Sequence, residues 1–320
     1  MKRRVLTAAF AVATIAAIVW MLRGQDWSVL RTTLDGRPAG FVVTMGVLAV
    51  LANAVALLTA MASWRHTLRA AGHELTTVEA IRLYFAGQFA KYLPGKVFSL
   101  VVNVRMGRTL GVPAARMASA WVLTLVIGVL TGATTGLLAG PELLGASAGW
   151  LILAALPIVA ALIRPSLLSS AATLAARVLR RPAPEVDPDG VRPALVTQLV
   201  SWLAAGLQLW LLAVAVGADP AGSLLLCVGA FGLATVAGMF AVFAPEGIGV
   251  REVLLLAALG VSLPLPVASV VALSSRLIVI VSELLTAAIA LAAATLARRA
   301  RLSHSEDQSQ DSSKALPVRS

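Results

Sequence analysis

The sequence predicts an all-α fold: a polytopic membrane helical bundle of about eight spans, with two re-entrant or broken helices in pseudo-repeated halves. Of the 320 residues, 59% are hydrophobic and 13% are charged, whereas a soluble domain usually carries about a quarter charged residues. The apolar residues form long runs rich in Ala, Leu and Val, without the alternation typical of strands. Because a backbone in lipid must form helices or a closed barrel, these runs predict membrane-spanning helices.

Seven apolar segments approach or exceed the ~20 residues that a membrane-spanning helix needs. They are 5–22, 40–63, 118–140, 149–163, 195–216, 223–243 and 267–297. The first segment is longer than the ~7–15 apolar residues of a signal peptide, so we expect an uncleaved span. The segment 149–163 is short and is the weakest of the seven. If both termini are cytoplasmic, the number of crossings is even, so one interrupted segment, residues 246–261, is expected to cross as well.

Basic residues lie in short segments between the apolar runs, although the net charge of +11 alone could suggest nucleic acid. Residues 64–82, residues 164–194 and the chain after Leu296 are rich in arginine, which is typical of cytoplasmic segments. We therefore expect a multi-pass protein of the plasma membrane with cytoplasmic N- and C-termini and no nucleic-acid partner.

The chain is predicted to consist of an integral membrane domain at 1–302 and a polar, disordered cytoplasmic tail at 303–320. Between the two halves, the apolar positions of Leu167–Leu179 have helical spacing, which predicts a helix lying on the membrane surface. A turn rich in proline and acidic residues is predicted at Pro182–Pro193.

Metal, cofactor and catalytic chemistry find no support in the sequence. Cys227 is the only cysteine and lies in an apolar run, and the three histidines, His66, His73 and His304, lack the spacing of metal ligands. No Ser/His/Asp set or isolated pair of carboxylates suggests a catalytic site. We therefore expect no metal, no cofactor and no enzymatic activity.

The first interrupted helix lies at residues 83–104. Two short apolar arms, Leu83–Ala90 and Val97–Val104, flank the sequence Lys91-Tyr92-Leu93-Pro94-Gly95-Lys96. An arm of eight helical residues reaches about 12 Å, under half of the ~30 Å hydrocarbon core. The N-terminus of a helix that follows such a break attracts anions, and two lysines flank this one, so a lipid phosphate is a natural ligand. Alternatively, both lysines extend to the phospholipid headgroups.

The second interrupted helix, Phe243–Val261, is broken at Pro245-Glu246-Gly247-Ile248-Gly249, and its apolar arm begins at Val253. Leu-Gly-Val follows the arm in both interrupted helices, at 110–112 and at 259–261, and a proline and an Ala-Ser pair come next. Matching interruptions in two halves are typical of transporters, although a chance similarity between two apolar stretches is the alternative.

Charged residues cluster in and after the second break. Glu246, Arg251 and Glu252 flank its Gly-x-Gly sequence, and Arg276 and Glu283 share one face of the last span. Because a charge at this depth costs a few kcal/mol unless it is paired, we expect these side chains to face the bundle interior. They pair either with one another or with a substrate phosphate.

Glycines repeat every four residues along the span at 118–140. This stripe consists of Gly128, Gly132, Gly136 and Gly140. Small residues at this spacing predict a surface for close helix packing.

The two motifs together, Lys91 to Phe98 followed by Leu110-Gly111-Val112, and later Pro245 to Glu252, resemble the lysylphosphatidylglycerol synthase transmembrane region, or flippase-like domain family. The resemblance covers roughly residues 5 to 300 and implies a multi-span protein that moves lipids or lipid-linked glycans between leaflets. We expect this region alone, without the soluble aminoacyl-transferase domain that some members carry.

Carried over by position, the resemblance implies substrate contacts in both motifs. They are Pro94, Gly95 and Lys96 in the first motif, and Pro245, Gly247, Gly249, Arg251 and Glu252 in the second. Where the family usually has an arginine, nine residues after Pro94, this chain has Asn103, with Arg105 two residues further on. Both are therefore candidate contacts.

The leading hypothesis is a transporter of an anionic lipid or a polyprenyl-phosphate-linked glycan. The phosphate would bind between the broken helices, near Lys91, Lys96, Arg251 and Arg276, and one half of the protein would rock against the other. Glu246, Glu252 and Glu283 would serve as counter-charges or proton-coupling groups. The alternatives are a non-catalytic accessory subunit of a glycolipid or glycosyltransferase system, with envelope-biosynthesis enzymes as partners, and a membrane-embedded transferase.

Overall fold

The computed structural model describes residues 27–90, 97–144, 149–168, 170, 173, 186–241, 247 and 249–314. Within these ranges the chain forms helices and no strand. The helices are α1 (Trp27–Leu34), α2 (Ala39–Ala70), α3 (Thr77–Ala90), α4 (Val97–Thr109), α5 (Ala114–Gly136), α6 (Gly140–Leu144), α7 (Gly149–Ile163), α8 (Pro188–Val216), α9 (Pro220–Phe240), α10 (Val250–Leu259) and α11 (Leu265–Lys314). The predicted all-α architecture is confirmed.

Five helical segments in the described residues are long and apolar enough to cross a membrane. They are Ala39–Ala70, Ala114–Leu143, Gly190–Val216, Pro220–Phe240 and Leu265–Ala297. Helix α7 has the predicted bounds, but its 15 residues reach only about 22 Å, short of the ~30 Å core. The predicted span 5–22 and most of the predicted surface helix, Leu167–Leu179, lie outside the described residues. The total of about eight spans therefore stays a prediction.

Several predicted boundaries are wrong. Residues 64–82 were expected to be a loop, but α2 continues to Ala70, because no glycine or proline interrupts it before Gly72, which has a φ of +79°. The turn predicted at Pro182–Pro193 is also wrong at its end, since α8 begins at Pro188 and contains Pro193. A proline is tolerated inside a membrane helix where neighbouring helices satisfy the freed backbone groups.

The predicted arms of the interrupted helices are helical but longer than expected. Helix α3 begins at Thr77 and α4 ends at Thr109, while α10 begins at Val250. The last helix continues to Lys314, into the segment predicted to be a disordered tail, because no glycine or proline occurs between residues 267 and 316.

The two halves of the chain repeat the same helix order and the same contacts. Helices α2 to α5 correspond to α8 to α11, and in each set the third helix is short and contacts the helix before it and the helix after it. Helix α2 contacts α5 and α11, and its counterpart α8 contacts α11 and α5. Helix α3 contacts α4 and α11, and its counterpart α9 contacts α10 and α5. The predicted pseudo-repeat is therefore present in the fold.

The repeat is inverted, as shown by the contact between α2 and α8. The Ser63 hydroxyl donates to the Ala194 carbonyl at 2.8 Å, and the Ser201 hydroxyl donates to the Ala56 carbonyl at 2.8 Å. Residue numbers rise along α2 as they fall along α8, so the two helices are antiparallel. Corresponding helices of the two halves thus run in opposite directions, an arrangement that many transporters share.

The predicted glycine stripe packs α5 closely against α9. A Cβ at Gly132 would lie 2.6 Å from Cγ2 of Val236, and one at Gly136 would lie 3.1 Å from Cβ of Leu233. A Cβ at Gly128 would meet open space, but its carbonyl accepts the indole N–H of Trp202 at 3.2 Å. The packing role of the stripe is therefore confirmed at its central positions.

Candidate functional site

Helix α10 is a half-helix that begins directly after the second break. Its ten residues span about 15 Å, half of the hydrocarbon core. Two glycines of the break have positive φ values, +68° at Gly247 and +90° at Gly249, which side chains other than glycine rarely adopt. A Cβ at Gly247 would also lie 2.6 Å from Cα of Gly238 at the end of α9. The Gly-x-Gly sequence therefore lets the chain reverse close to α9.

Helices α10 and α11 form an antiparallel pair joined by the turn at 260–264. Near the start of α10, Glu252 pairs with Arg276 of α11. At ~1.5 Å per residue, Arg276 is about 16 Å along α11 from Leu265. The ion pair therefore lies well inside the candidate span Leu265–Ala297.

Glu252 links the N-terminus of α10 to α11. One carboxylate oxygen accepts the Nη1 hydrogen bond of Arg276, and the other accepts the backbone N–H of Gly249 at 2.7 Å. The two side chains of this ion pair are only 8% and 12% exposed. The predicted internal pairing of Arg276 is thus confirmed, with Glu252 as its anion. The Nε atom of Arg276 is buried and has no hydrogen-bond partner among the described residues.

Arg251 joins a third helix to the cluster. It is 7% exposed, and its guanidinium carbon lies 4.6 Å from the ring centroid of Phe231 on α9, a cation–π contact. Glu283 is also buried and lies two turns after Arg276 on α11. The described part of the site thus contains two arginines and two glutamates between α9, α10 and α11.

Two polar contacts that the sequence reasoning missed hold α11 against the central helices of both halves. The Asn53 side-chain amide on α2 donates to the Ser282 hydroxyl, and the Ser275 hydroxyl donates to Oε1 of Gln208 on α8 at 3.1 Å. All four side chains are buried. Each is a polar residue inside an apolar run, a signal that could have marked them as interior positions.

The first half contains one buried candidate in its described part. Asn103 on α4 is 9% exposed and lies against Gly87 of α3, whereas Arg105 is exposed on the surface of α4. The structure therefore does not bring Arg105 into the charged cluster. Six predicted site residues lie outside the described residues. They are Lys91, Pro94, Gly95, Lys96, Pro245 and Glu246.

Among the described side chains, no group of three or more His, Cys, Asp or Glu could hold a metal ion. The described site consists of the buried Arg276–Glu252 ion pair, the buried side chains of Arg251 and Glu283, and the N-terminus of α10.

Comparison with known proteins identifies the family. No curated protein matches the chain. One family profile, described as "Lysylphosphatidylglycerol synthase TM region", matches residues 6–287, a range that includes both interruptions and Arg276. The match points to a membrane protein of lipid or cell-envelope metabolism. The chain, a multi-pass helical membrane protein, belongs to the lysylphosphatidylglycerol synthase TM-region family.

Proposed function

We propose that this protein is a transporter that moves an anionic lipid or a polyprenyl-phosphate-linked glycan between the leaflets of the plasma membrane. The observation that carries the proposal is the pair of buried arginines, Arg251 and Arg276, beside the N-terminal turn of the half-helix α10. The family supports the same direction, because it points to lipid or cell-envelope metabolism.

The energetics of buried charge support an anionic substrate. An arginine at the centre of a spanning helix costs roughly 2.5–3.5 kcal/mol on insertion scales, so such residues usually mark a substrate or ion pathway. The first N–H groups of α10 add partial positive charge at the same place. Of these groups, Glu252 already accepts the N–H of Gly249. A lipid phosphate would take the place of this carboxylate beside Arg276, while Glu252 and Glu283 balance the charge of the empty site.

The inverted repeat supports transport by alternating access. Transporters with this symmetry bind their substrates near the midplane at discontinuous helices, and α4 and α10 are the corresponding short helices here. The two short helices run in opposite directions, so each can serve a pathway from one side of the membrane. We propose the carrier role without a catalytic one, with cytoplasmic N- and C-termini and with phosphate-bearing membrane lipids as the partners.

The test is a lipid-sidedness assay with the purified protein in liposomes. Vesicles would contain a trace of fluorescent phosphatidylglycerol or of a fluorescent polyprenyl-phosphate glycan, and an impermeant quencher would report the outer-leaflet fraction over time. The wild type should move at least one probe faster than empty vesicles. Arg276→Met should slow it about tenfold or more, because a hydrogen bond to a charged group contributes ~1.5–3 kcal/mol.

A matched control is Arg69→Gln. Arg69 also forms an ion pair, with Glu74 at 2.7 Å, but both side chains are more than half exposed. This variant should move the probe at the wild-type rate. If the wild type moves neither probe, or if Arg276→Met and Arg69→Gln have equal effects, the transporter proposal is wrong.

The accessory-subunit alternative makes the opposite prediction, that Arg276→Met is harmless and that disrupting the glycine stripe abolishes function. The central glycines of that stripe, Gly132 and Gly136, are in contact with α9 of the same chain, so they are not free for a partner protein. This observation favours the transporter over the accessory subunit.

A further inference from the structure

Helix α11 carries apolar side chains both on the face that packs into the bundle and on the face that points outward. Ala272 and Ala287 are buried, while Leu284 and Ile289 are more than half exposed. Since lipid tails are as apolar as these side chains, the hydrophobic effect gives such a helix no preferred rotation about its axis. The charge of Arg276 favours the interior, but this long side chain reaches the same place from a range of rotations. Shorter polar contacts are needed to fix the rotation.

Two buried side-chain amides supply such contacts, one from each half of the chain. Gln208 of α8 accepts the hydroxyl hydrogen bond of Ser275 at 3.1 Å, and its amide nitrogen donates to the carbonyl of the same serine at 3.5 Å. Asn53 of α2 donates to the Ser282 hydroxyl, which in turn donates to the Val279 carbonyl at 3.0 Å. Gln208 and both serines are fully buried. Each amide therefore holds one turn of α11 in a defined direction.

Each of these serines directly precedes a charged residue of the candidate site. Ser275 precedes Arg276, and Ser282 precedes Glu283, so the two pairs lie seven residues apart on one side of α11. Neighbouring residues of a helix point in directions about 100° apart. An amide that fixes the direction of a serine therefore also fixes the direction in which the next residue leaves the helix.

The amide contacts do not depend on the ion pair that also holds Arg276. Its partner Glu252 lies on α10, and in the proposed function the substrate phosphate takes the place of that carboxylate. Once Glu252 is displaced, Arg276 keeps its position only if α11 itself is held. The two amides come from α2 and α8, which are hydrogen-bonded to each other across the boundary between the halves.

We infer that Gln208 and Asn53 are positioning residues, which fix the rotation of α11 so that Arg276 and Glu283 face the interior of the bundle. The amides act on the substrate through these two charged residues. This inference rests on the proposed function, because it takes the phosphate beside Arg276 as the ligand.

The test is a calorimetric titration of the purified full-length protein in detergent with inorganic phosphate. Gln208→Leu nearly keeps the size of the side chain, and the released Ser275 hydroxyl can bond to its own helix, so this variant should fold. It should weaken phosphate binding about fivefold, the factor to which ~1 kcal/mol of lost hydrogen bonding corresponds. Ser275→Ala removes the same contact from the side of α11 and should weaken binding by a similar factor, as should Asn53→Leu.

A positioning role also requires that the effect depends on Arg276. In an Arg276→Met background, Gln208→Leu should weaken phosphate binding no further, whereas the effects of independent sites would add. Ser63→Ala is the matched control, since it removes an equally buried hydrogen bond, between α2 and α8 at 2.8 Å, and should leave the phosphate affinity unchanged.

Three results would overturn the inference: a wild type that binds no phosphate, equal effects of Gln208→Leu and Ser63→Ala, or an effect of Gln208→Leu that is the same with and without Arg276. An effect that depends on Arg276, in a protein that moves neither lipid probe, would keep the positioning role and refute only the transporter proposal.

Discussion

The two halves of this protein share one architecture but differ in their chemistry. Helices α8 to α11 place four charged residues in the interior, Arg251, Glu252, Arg276 and Glu283. At the same distances from the Leu-Gly-Val glycine, the first half has two neutral polar and two apolar residues. They are Val102, Asn103, Ile127 and Thr134.

This difference shows that helix packing and charge placement are separate properties of the fold. The same contacts between long and short helices form in both halves, although the positions in the first half that correspond to Glu252 and Arg276 hold an amide and an apolar residue. Buried ion pairs often stabilise a protein no more than apolar residues of similar size. Stability alone therefore does not account for the four charged side chains in the interior of one half.

The largest effect is expected at the ion pair. Arg276→Met should lower the free energy of unfolding by ~3–5 kcal/mol, because it leaves the buried carboxylate of Glu252 without its partner. The counterpart substitution in the first half, Ile127→Met, keeps the volume and should cost less than about 1.5 kcal/mol. Thermal unfolding in detergent, followed by tryptophan fluorescence, measures both.

A double variant separates pairing from packing at this position. Glu252→Gln combined with Arg276→Met removes both charges and should recover much of the lost stability. If the double variant is less stable than Arg276→Met alone, the charged residues stabilise the fold. The charge difference between the halves would then be no evidence for a binding site.

The contact of α9 with the turn directly after α5, Leu137–Ala139, should give the next largest effect. A Cβ at Gly229 would lie 2.3 Å from the backbone nitrogen of Ala139. Gly229→Val should therefore destabilise the protein by about 1–3 kcal/mol or more through overpacking. Gly46→Val on α2 is the control, since a side chain there meets open space. Equal melting temperatures for the two variants would contradict this close contact.

A smaller effect is expected at the start of α3, where a capping box lies at the protein surface. The Thr76 hydroxyl donates to Glu79 at 2.7 Å, and the Glu79 backbone N–H donates back at 3.3 Å. Thr76→Ala should cost about 1 kcal/mol. Thr44→Ala, at an exposed hydroxyl inside α2, should cost less.

The same cap has a pH dependence with a defined sign. The Thr76 hydroxyl bond lowers the pKa of the Glu79 carboxyl. The contribution to stability is therefore present above the unfolded-state pKa and is lost as the pH falls through the folded-state pKa. Thr76→Ala should flatten this acid limb of the unfolding curve, and an unchanged limb would show that the cap does not form.

The smallest effect is expected at Arg105, which is exposed on α4. Arg105→Gln should change the free energy of unfolding by less than about 0.5 kcal/mol and should leave phosphate binding intact. Arg251→Gln removes a buried guanidinium from the Phe231 ring and should weaken the binding of inorganic phosphate in calorimetric titrations. A stronger effect from Arg105 would move the site to the surface of the first half.

Much of the fold could be predicted from the sequence, because long apolar runs and Pro/Gly breaks determine from the local sequence where helices form and where they end. The bounds of α7 and the half-helix after Gly249 follow from such signals. The ends of α2 and α8 could not be predicted in this way. Arg65 and Arg69 resemble loop residues by charge, but a helix continues through them until Gly72 ends it. Charge marks where a chain meets water, and a helix can extend beyond that point.

The four charged residues of the described cluster could be singled out from the sequence, but the contacts between them could not. Arg251, Glu252, Arg276 and Glu283 stand out because charges are rare in apolar runs. That Glu252 rather than another glutamate pairs with Arg276 depends on the antiparallel contact of α10 with α11. The inverted direction of the repeat likewise rests on contacts between residues more than a hundred positions apart in sequence.

The antiparallel clasp of α2 and α8 has a consequence for motion. Its reciprocal serine bonds, from Ser63 and from Ser201, cross the boundary between the two halves at the centre of the bundle. A rigid-body rotation of one entire half against the other would have to separate α2 from α8 and break these hydrogen bonds. A tilt of the helix pairs α3–α4 and α9–α10 costs less free energy, because α2 and α8 can then stay in contact. Cross-linking α2 to α8 should therefore leave the proposed lipid transport intact. Cross-linking α3–α4 or α9–α10 to α2 or α8 should stop it.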